Sequence, residues 1–589
     1  MHVESQLPQT THPIIDHSSL GTVLFGNAYG DSSATEYKEI ALSIWQFSGI
    51  KYGKIPARFM QAELNEEFED MTECYHYGPK CPQVKMPVRM EDGLIGLPKE
   101  VASHAEDVFD EFNCLNLNIT TPDGSNENSE LPVMVYIHGG GGWSGANSDW
   151  WCDGRSIVKQ SIKIGKPIVH VAINYRLGPF GYMGSEELRK ELGVVHGGNY
   201  GLRDIHLALT WLSKYSRPFG GSPSNLTIYG ESAGSLAVES QIHCLLPPHF
   251  HRAIMQSQTM GQPLFSVPQC IDQKSQLYNK TKEKLGLTSV KEMQEVNCEK
   301  LMEAYRAVDA RAGLGELAMV DGEFFDEDWR TRFSFKRNAR KYEGRKSEIM
   351  IGNTGREGSV IKFIMIGSPK QDSRPETETL MTALTTLIST EKVNEILKAY
   401  NLLPNPFHKT SSETEQTKFA EQVLTIIEDL IFYKGTAEFV ALAQKSRPEL
   451  RIGQYIFKQK NPFSTAGIFK GVEVHALDLV YLHGSGDIFG EIDRMVDLGV
   501  EDKERELRMM QEMQKAWIRF AYGEDDGVDG VGAVKVFGPD GKVGGIGIEE
   551  LMEERGYERW KVFDGLSNRE MEGVAGVLLQ VYGGLVGEG

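Results

Sequence analysis

The run Leu226-Thr-Ile-Tyr-Gly-Glu-Ser-Ala-Gly234 constrains this 589-residue chain more than any other stretch. An apolar segment breaks into Gly230-Glu-Ser-Ala-Gly234, and a helix-compatible segment, Ser235 to Leu245, follows at once. A strand that turns this sharply into a helix tolerates only small residues two positions either side of its apex. It also pushes the apex side chain clear of the sheet. A helix starting directly behind Ser232 aims backbone N–H groups and a partial positive charge at any oxyanion forming there. The stretch alone could still be a plain glycine turn, because 62 residues of the chain are glycine and short motifs arise by chance. The rest of the chain has to decide.

Short apolar runs alternate with longer helix-like segments. We expect strands at Val133–Ile137, Pro167–Ile173, Leu226–Tyr229, Glu348–Ile351 and Gln454–Phe457. They lack polar alternation, as strands buried on both faces of a largely parallel sheet do. Leu202–Tyr215 and Met509–Tyr522 read as amphipathic helices. The fold class is therefore α/β, a largely parallel central sheet flanked by helices. Residues 260–345 and 370–450 are charged and helix-rich and read as helical cap insertions. From Gly523 onward glycine and acid dominate, which predicts a mobile loop and then a short closing segment near Trp560–Phe563. Residues 1–16 read as an N-terminal extension, 17–565 as one domain, and 566–589 as an apolar tail that docks on it.

A net charge of −20 argues against nucleic acid or an anionic membrane as partner, and no stretch approaches the ~20 apolar residues that span a bilayer. The first residues show neither a charged nor an apolar region of a signal peptide, so the expected location is cytoplasmic. The sequons at Asn118, Asn225 and Asn279 are then unused. Seven cysteines in so long a chain make no disulfide scaffold, and no C-x-x-C spacing suggests zinc. No metal or organic cofactor is called for.

An acyl-transfer serine needs a base, an acid that orients the base, and donors for the tetrahedral oxyanion. On such a sheet the chain order is Ser, acid, His. His408, in a proline-marked loop, reads as solvated. His475 follows the last internal strand at loop-like spacing and is favoured by position over His483, which stays open. Glu357 follows the strand at 348–351, where a loop emerges on the functional carboxyl edge, though an ordinary turn glutamate would look the same. His138-Gly-Gly-Gly-Gly142 follows another strand directly. Its Gly140 and Gly141, with the N–H of Ala233, would supply three donors to a developing oxyanion.

Taken together, these residues resemble the type-B carboxylesterase/lipase family, which includes cholinesterases, within the α/β-hydrolase superfamily. The resemblance spans about residues 17–565. It is carried by Phe47-Ser-Gly-Ile50 with Arg58-Phe59, Tyr77 to Gln83, Cys114 to Ile119, Tyr136 to Gly141, Asn174 to Gly181, Gly198 to Asp204 and Gly230 to Gly234. Weaker matches follow at Glu357-Gly358, at His475 to Tyr481 and at Trp517 to Phe520. It implies Ser232 as nucleophile, Glu357 as acid, His475 as base and Gly140, Gly141 and Ala233 as oxyanion hole. It also implies a disulfide between Cys81 and Cys114. The implied activity is hydrolysis of a small-molecule carboxylic ester through an acyl-enzyme. Lipase, thioesterase or acyltransferase activity is the alternative, and a non-catalytic binding protein of the same fold the remoter one. Three positions depart from the family. Phe112-Asn113 stands where an acidic pair is usual, so Glu111 would have to pair with Arg58. Gly142 replaces a bulky residue, which would widen the acyl side. No tryptophan lies between Cys81 and Cys114, which disfavours a choline-ester specialist.

Overall fold

The computed structural model describes residues 13–29, 43–84, 88–97, 107–193, 197–260, 269–308, 318–335, 348–366, 376–403, 406–408, 411–484, 502–524, 533–554 and 556–586. Its centre is an 11-stranded sheet. In chain order the strands are β1 Asn27–Tyr29, β2 Ile44–Lys51, β3 Asn116–Pro122, β4 Leu131–Ile137, β5 Val169–Ile173, β6 Gly221–Glu231, β7 Arg252–Gln256, β8 Ile349–Thr354, β9 Ile452–Phe457, β10 Ala533–Phe537 and β11 Val543–Gly547. Across the sheet they run β11-β10-β9-β8-β7-β6-β4-β5-β3-β2-β1. Neighbours from β5 through β4 and β6 to β10 pair in parallel, and the strands at both margins pair antiparallel.

The parallel strands are apolar without alternation because helices cover both faces. Every residue of β5, β7 and β8 is buried. Main covering helices are α1 Arg155–Lys163, α2 Tyr200–Tyr215, α3 Ala233–His243, α4 Ser359–Ile366, α5 Glu413–Glu428, α6 Lys434–Ser446, α7 Leu477–His483, α8 Lys503–Ala521 and α9 Asn568–Val586. The apolar tail is thus the helix α9, which packs along α5, α4 and the short helix Thr377–Thr385. The described parts of the two insertions are helical, as their composition predicts, with helices such as Ile271–Leu285, Cys298–Val308 and Thr390–Ala399. Among the described residues no helix is long and apolar enough to cross a membrane.

Two sequence expectations change. The strand β7 was not anticipated: Arg252 and Gln256 at its ends disguise it, yet both are buried, Arg252 donating to Asn225 Oδ1 at 2.7 Å and to the Ala521 carbonyl at 3.2 Å. The glycine- and acid-rich stretch after Gly523 is not loop throughout. Residues 525–532 lie outside the described residues, but β10 and β11 form a hairpin that extends the sheet. The five residues Ala533-Val-Lys-Val-Phe537 supply too short a signal to outweigh the surrounding glycine.

Candidate active site

Ser232 sits where β6 ends and α3 begins, with φ +55° and ψ −123°, a region L-residues rarely enter. The neighbouring glycines make this geometry possible. A Cβ on Gly234 would lie 2.1 Å from the Ile137 carbonyl oxygen, and one on Gly230 would lie 2.6 Å from the Gly234 backbone. The Ser232 amide donates to the Gln256 carbonyl at 2.9 Å, tying the turn to β7. The structure therefore has the strained turn that the motif predicts.

Gly140, Gly141 and Gly142 follow β4 with φ of +91°, +66° and +73°. A Cβ on the preceding Gly139 would come within 3.4 Å of Ser232 Cβ, so this loop lies directly against the serine. The Gly140 carbonyl accepts from the Trp143 and Ser144 amides, and the Gly142 carbonyl from the Gly178 amide. That fixes the peptides while leaving the Gly140 and Gly141 N–H groups unspent. Among the described residues these two amides and that of Ala233, the first residue of α3, donate to no other group.

Glu357 follows β8 and is fully buried. One carboxylate oxygen accepts from the Thr354 amide at 2.6 Å, and the other lies 2.5 Å from His475 Nδ1. His475 is held from its backbone as well, its amide donating to Ser359 Oγ at 2.9 Å. Glu357 and His475, separated by 118 positions, are thus brought together as the sequence reading expects. His483 goes elsewhere. It is buried on the far side of α7 among Tyr136, Tyr229 and His170, stacked parallel to the Tyr229 ring at 5.8 Å, and burial holds its pKa well below the usual value.

One residue was missed by sequence reasoning. Glu231, the variable position before the serine, turns its Oε1 to 3.0 Å from His475 Nε2. The imidazole is therefore clamped between two carboxylates, and no hydrogen bond joins Nε2 to Ser232 Oγ among the described residues. Burial alone would lower the ring's pKa, but Glu231 and then Glu357 outweigh it and hold it well above the usual histidine value. Two more buried acids respond to the same charge. Asp478, which accepts from Gln256 Nε2 at 2.9 Å and from the Tyr455 hydroxyl at 3.3 Å, is pushed up to about 7 by burial and by Glu231. Glu91 is also pushed up to about 7, again by burial first.

A cavity of about 20 Å³ adjoins the glycine loop after β4, lined by Gly142, Tyr182, Ala233, Leu236, Met260 and Ala318 among others. Two family departures are also explained. Arg58 pairs with Glu111 through two parallel contacts of 2.7 Å, so Glu111 does replace the missing acidic pair. Cys81 and Cys114, for which the resemblance implies a disulfide, are free, buried thiols in this structure and lie in hydrogen-bonding contact with each other. That contact and burial push the Cys114 pKa well up.

The comparison with known proteins closes the question of family. Residues 17–550 match the model of the carboxylesterase family. The chain belongs to that family. This carboxylesterase-family chain is 28% identical to Lipase 1 of Yarrowia lipolytica (strain CLIB 122 / E 150) over 490 residues, 81% of this chain and 84% of that one. It is also 28% identical to the para-nitrobenzyl esterase of Bacillus subtilis (strain 168) over 505 residues, 81% of this chain and 86% of that one. A solved PNB esterase structure superimposes with a TM-score of 0.66 at 23% identity, covering 93% of this chain and 99% of that one. The fold is the α/β-hydrolase fold, and the protein is a carboxylic ester hydrolase.

Proposed function

We propose that Ser232, His475 and Glu357 form the catalytic triad of this esterase, with Gly140, Gly141 and Ala233 as its oxyanion donors. The observation that carries the reading is the 2.5 Å contact between His475 Nδ1 and Glu357, with His475 Nε2 only 3.0 Å from Glu231, which immediately precedes Ser232 on the strained turn. In the resting site Nε2 rests on Glu231, so the ring must turn from Glu231 toward Ser232 Oγ as the ester enters. His475 then takes the hydroxyl proton while Oγ attacks the carbonyl carbon. The three amides receive the oxyanion. As the intermediate collapses, the imidazolium returns its proton to the leaving alcohol and the acyl group stays on Ser232. Water, deprotonated by the same ring, releases the carboxylic acid and restores the serine. Glu357 fixes which ring nitrogen carries the proton throughout.

The substrate class is a small-molecule ester with a short acyl group. A 20 Å³ cavity beside the oxyanion donors has room for little beyond an acetyl or propionyl tail. That favours esterase over lipase action, although several relatives are lipases by name.

The test is turnover of p-nitrophenyl acetate with organophosphate labelling mapped by mass spectrometry. Ser232→Ala and His475→Ala should each lose at least roughly 10⁴-fold in kcat, as triads do on losing a member, while His483→Ala stays active if folded. Label on any residue but Ser232, or an active His475→Ala, would refute the assignment.

A further inference from the structure

A second cavity, of about 360 Å³, shares a wall with the acyl cavity and has a mixed lining, with Glu239, Arg330 and Lys434 as well as Phe439, Leu442 and Phe563. One residue, Met260, lines both. Its two ends are fixed toward different cavities. Ser240 Oγ, which donates to the Leu236 carbonyl at 2.7 Å, lies 3.3 Å from the Met260 sulfur, and Ser240 lines the small cavity. The Met260 amide donates to the Glu239 carboxylate, and Glu239 lines the large one. Ser240 and Glu239 are adjacent on α3, the helix that starts at the oxyanion amide of Ala233. A single unbranched side chain, 7% exposed, therefore stands between the oxyanion side of the site and a space more than tenfold larger.

We infer that Met260 is the residue that limits acyl-chain length, and that the cavity behind it is the space a longer acyl chain enters once that side chain is cut back. The inference rests on the triad assignment above. The physical argument is volume. A chain longer than the small cavity must either leave toward solvent, gaining nothing per methylene, or displace Met260. Truncation at Met260 removes three heavy atoms from the shared wall and leaves the backbone and its bond to Glu239 in place. The chain would then run along Phe439, Leu442 and Phe563, the apolar part of a lining that also carries Lys434 and Glu438. Each methylene so covered favours the longer ester by up to about fourfold.

The experiment compares kcat/KM for p-nitrophenyl acetate, butyrate and octanoate in wild type, Met260→Ala and the double variant Met260→Ala with Leu442→Trp. Wild type should prefer acetate over butyrate and octanoate. Met260→Ala should raise the octanoate-to-acetate ratio at least tenfold, and Leu442→Trp, by filling the second cavity, should cancel most of that gain. A ratio that does not move in a Met260→Ala protein still turning over acetate overturns the inference. A ratio that rises but ignores Leu442→Trp also overturns it, because the chain then lies elsewhere. Should Met260→Ala fail to fold, Met260→Val opens the same wall less widely, with the same two readouts. None of these outcomes touches the triad assignment, whose failure would show instead as an active Ser232→Ala or a label on another residue.

Discussion

The oxyanion loop can be tested by adding a single methyl group. In Gly140→Ala the new Cβ would meet the Ser144 carbonyl oxygen at 2.3 Å and its carbonyl carbon at 2.8 Å, on a backbone with φ +91°. The obstacle is main chain, and it is not free to retreat, because the Ser144 amide is itself bonded to the Gly140 carbonyl and the Gly145 amide to Gln83 Oε1. Relief needs a shift of about 1 Å, roughly the difference between this overlap and an ordinary contact. Oxyanion donors work within a narrow range near 3 Å, and losing one costs roughly 10²–10³ in kcat, about 2.7–4 kcal/mol. Gly140→Ala should therefore lose at least that much in kcat on p-nitrophenyl acetate, with KM changed only a few-fold. Gly124→Ala is the control. Its φ is +74°, and a Cβ there would meet nothing within 4 Å. Both variants pay a left-handed cost of about 1–2 kcal/mol, which in a chain of this length is only roughly 1–2 °C of melting temperature. The control should melt slightly early and turn over normally. A Gly140→Ala protein within threefold of wild-type kcat would refute the role given to these amides, and so would equal loss of activity in Gly124→Ala.

Two further outcomes follow from the charges. Glu231→Gln removes one of the two anions that raise the His475 pKa, and only the neutral ring can act as base, so the rising limb of kcat/KM against pH should move to lower pH. A limb that stays put or moves up would mean that the Glu231 contact does not exist in solution. Glu111→Ala strands the buried Arg58 guanidinium and should cost about 3–5 kcal/mol of stability, as broken buried pairs do; a urea denaturation midpoint equal to wild type would contradict the paired geometry.

How much of this was legible in the sequence depends on which scale wrote the signal. The elbow was legible because its steric demands are local: Gly230 and Gly234 must be small for reasons within a few residues of Ser232. The pairing of Glu357 with His475 was legible because a parallel sheet delivers each loop to one edge. The choice of His475 over His483 was only a positional preference from the residues themselves. The two lie eight positions apart, and what separates them is α7, which carries His483 away from Glu357 to the rings of Tyr136, Tyr229 and His170. Glu231 was invisible for a different reason. It fills the free position of the motif, and it gains a role only once the imidazole ring has an orientation. Met260 was equally hidden, since a partition is defined by two volumes and neither exists in the chain before it folds.

The protonation of this site belongs to a group of residues, and that alters what its pH dependence can report. Glu231 and Glu357 flank one imidazole, Asp478 sits against the Gln256 and Tyr455 side chains nearby, and Glu91 feels the same Glu231 charge. So many carboxyl groups could not all remain charged in a site this dry, because the cost of burying each anion rises with every other. The burden is relieved in two ways: the imidazole is held toward its cationic form, and Asp478 and Glu91 are pushed up to about 7, into the range where they carry a proton for part of the time. Groups coupled this closely titrate together, so the limb of a pH–rate profile reports an apparent constant of the whole cluster. It follows that Asp478→Asn, which touches neither Ser232 nor the ring, should also shift the limb that Glu231→Gln shifts. Its direction is the same, downward, because it too removes negative charge that favours the imidazolium. A profile that responded to Glu231 and ignored Asp478 would show that the base is tuned by its immediate neighbour alone.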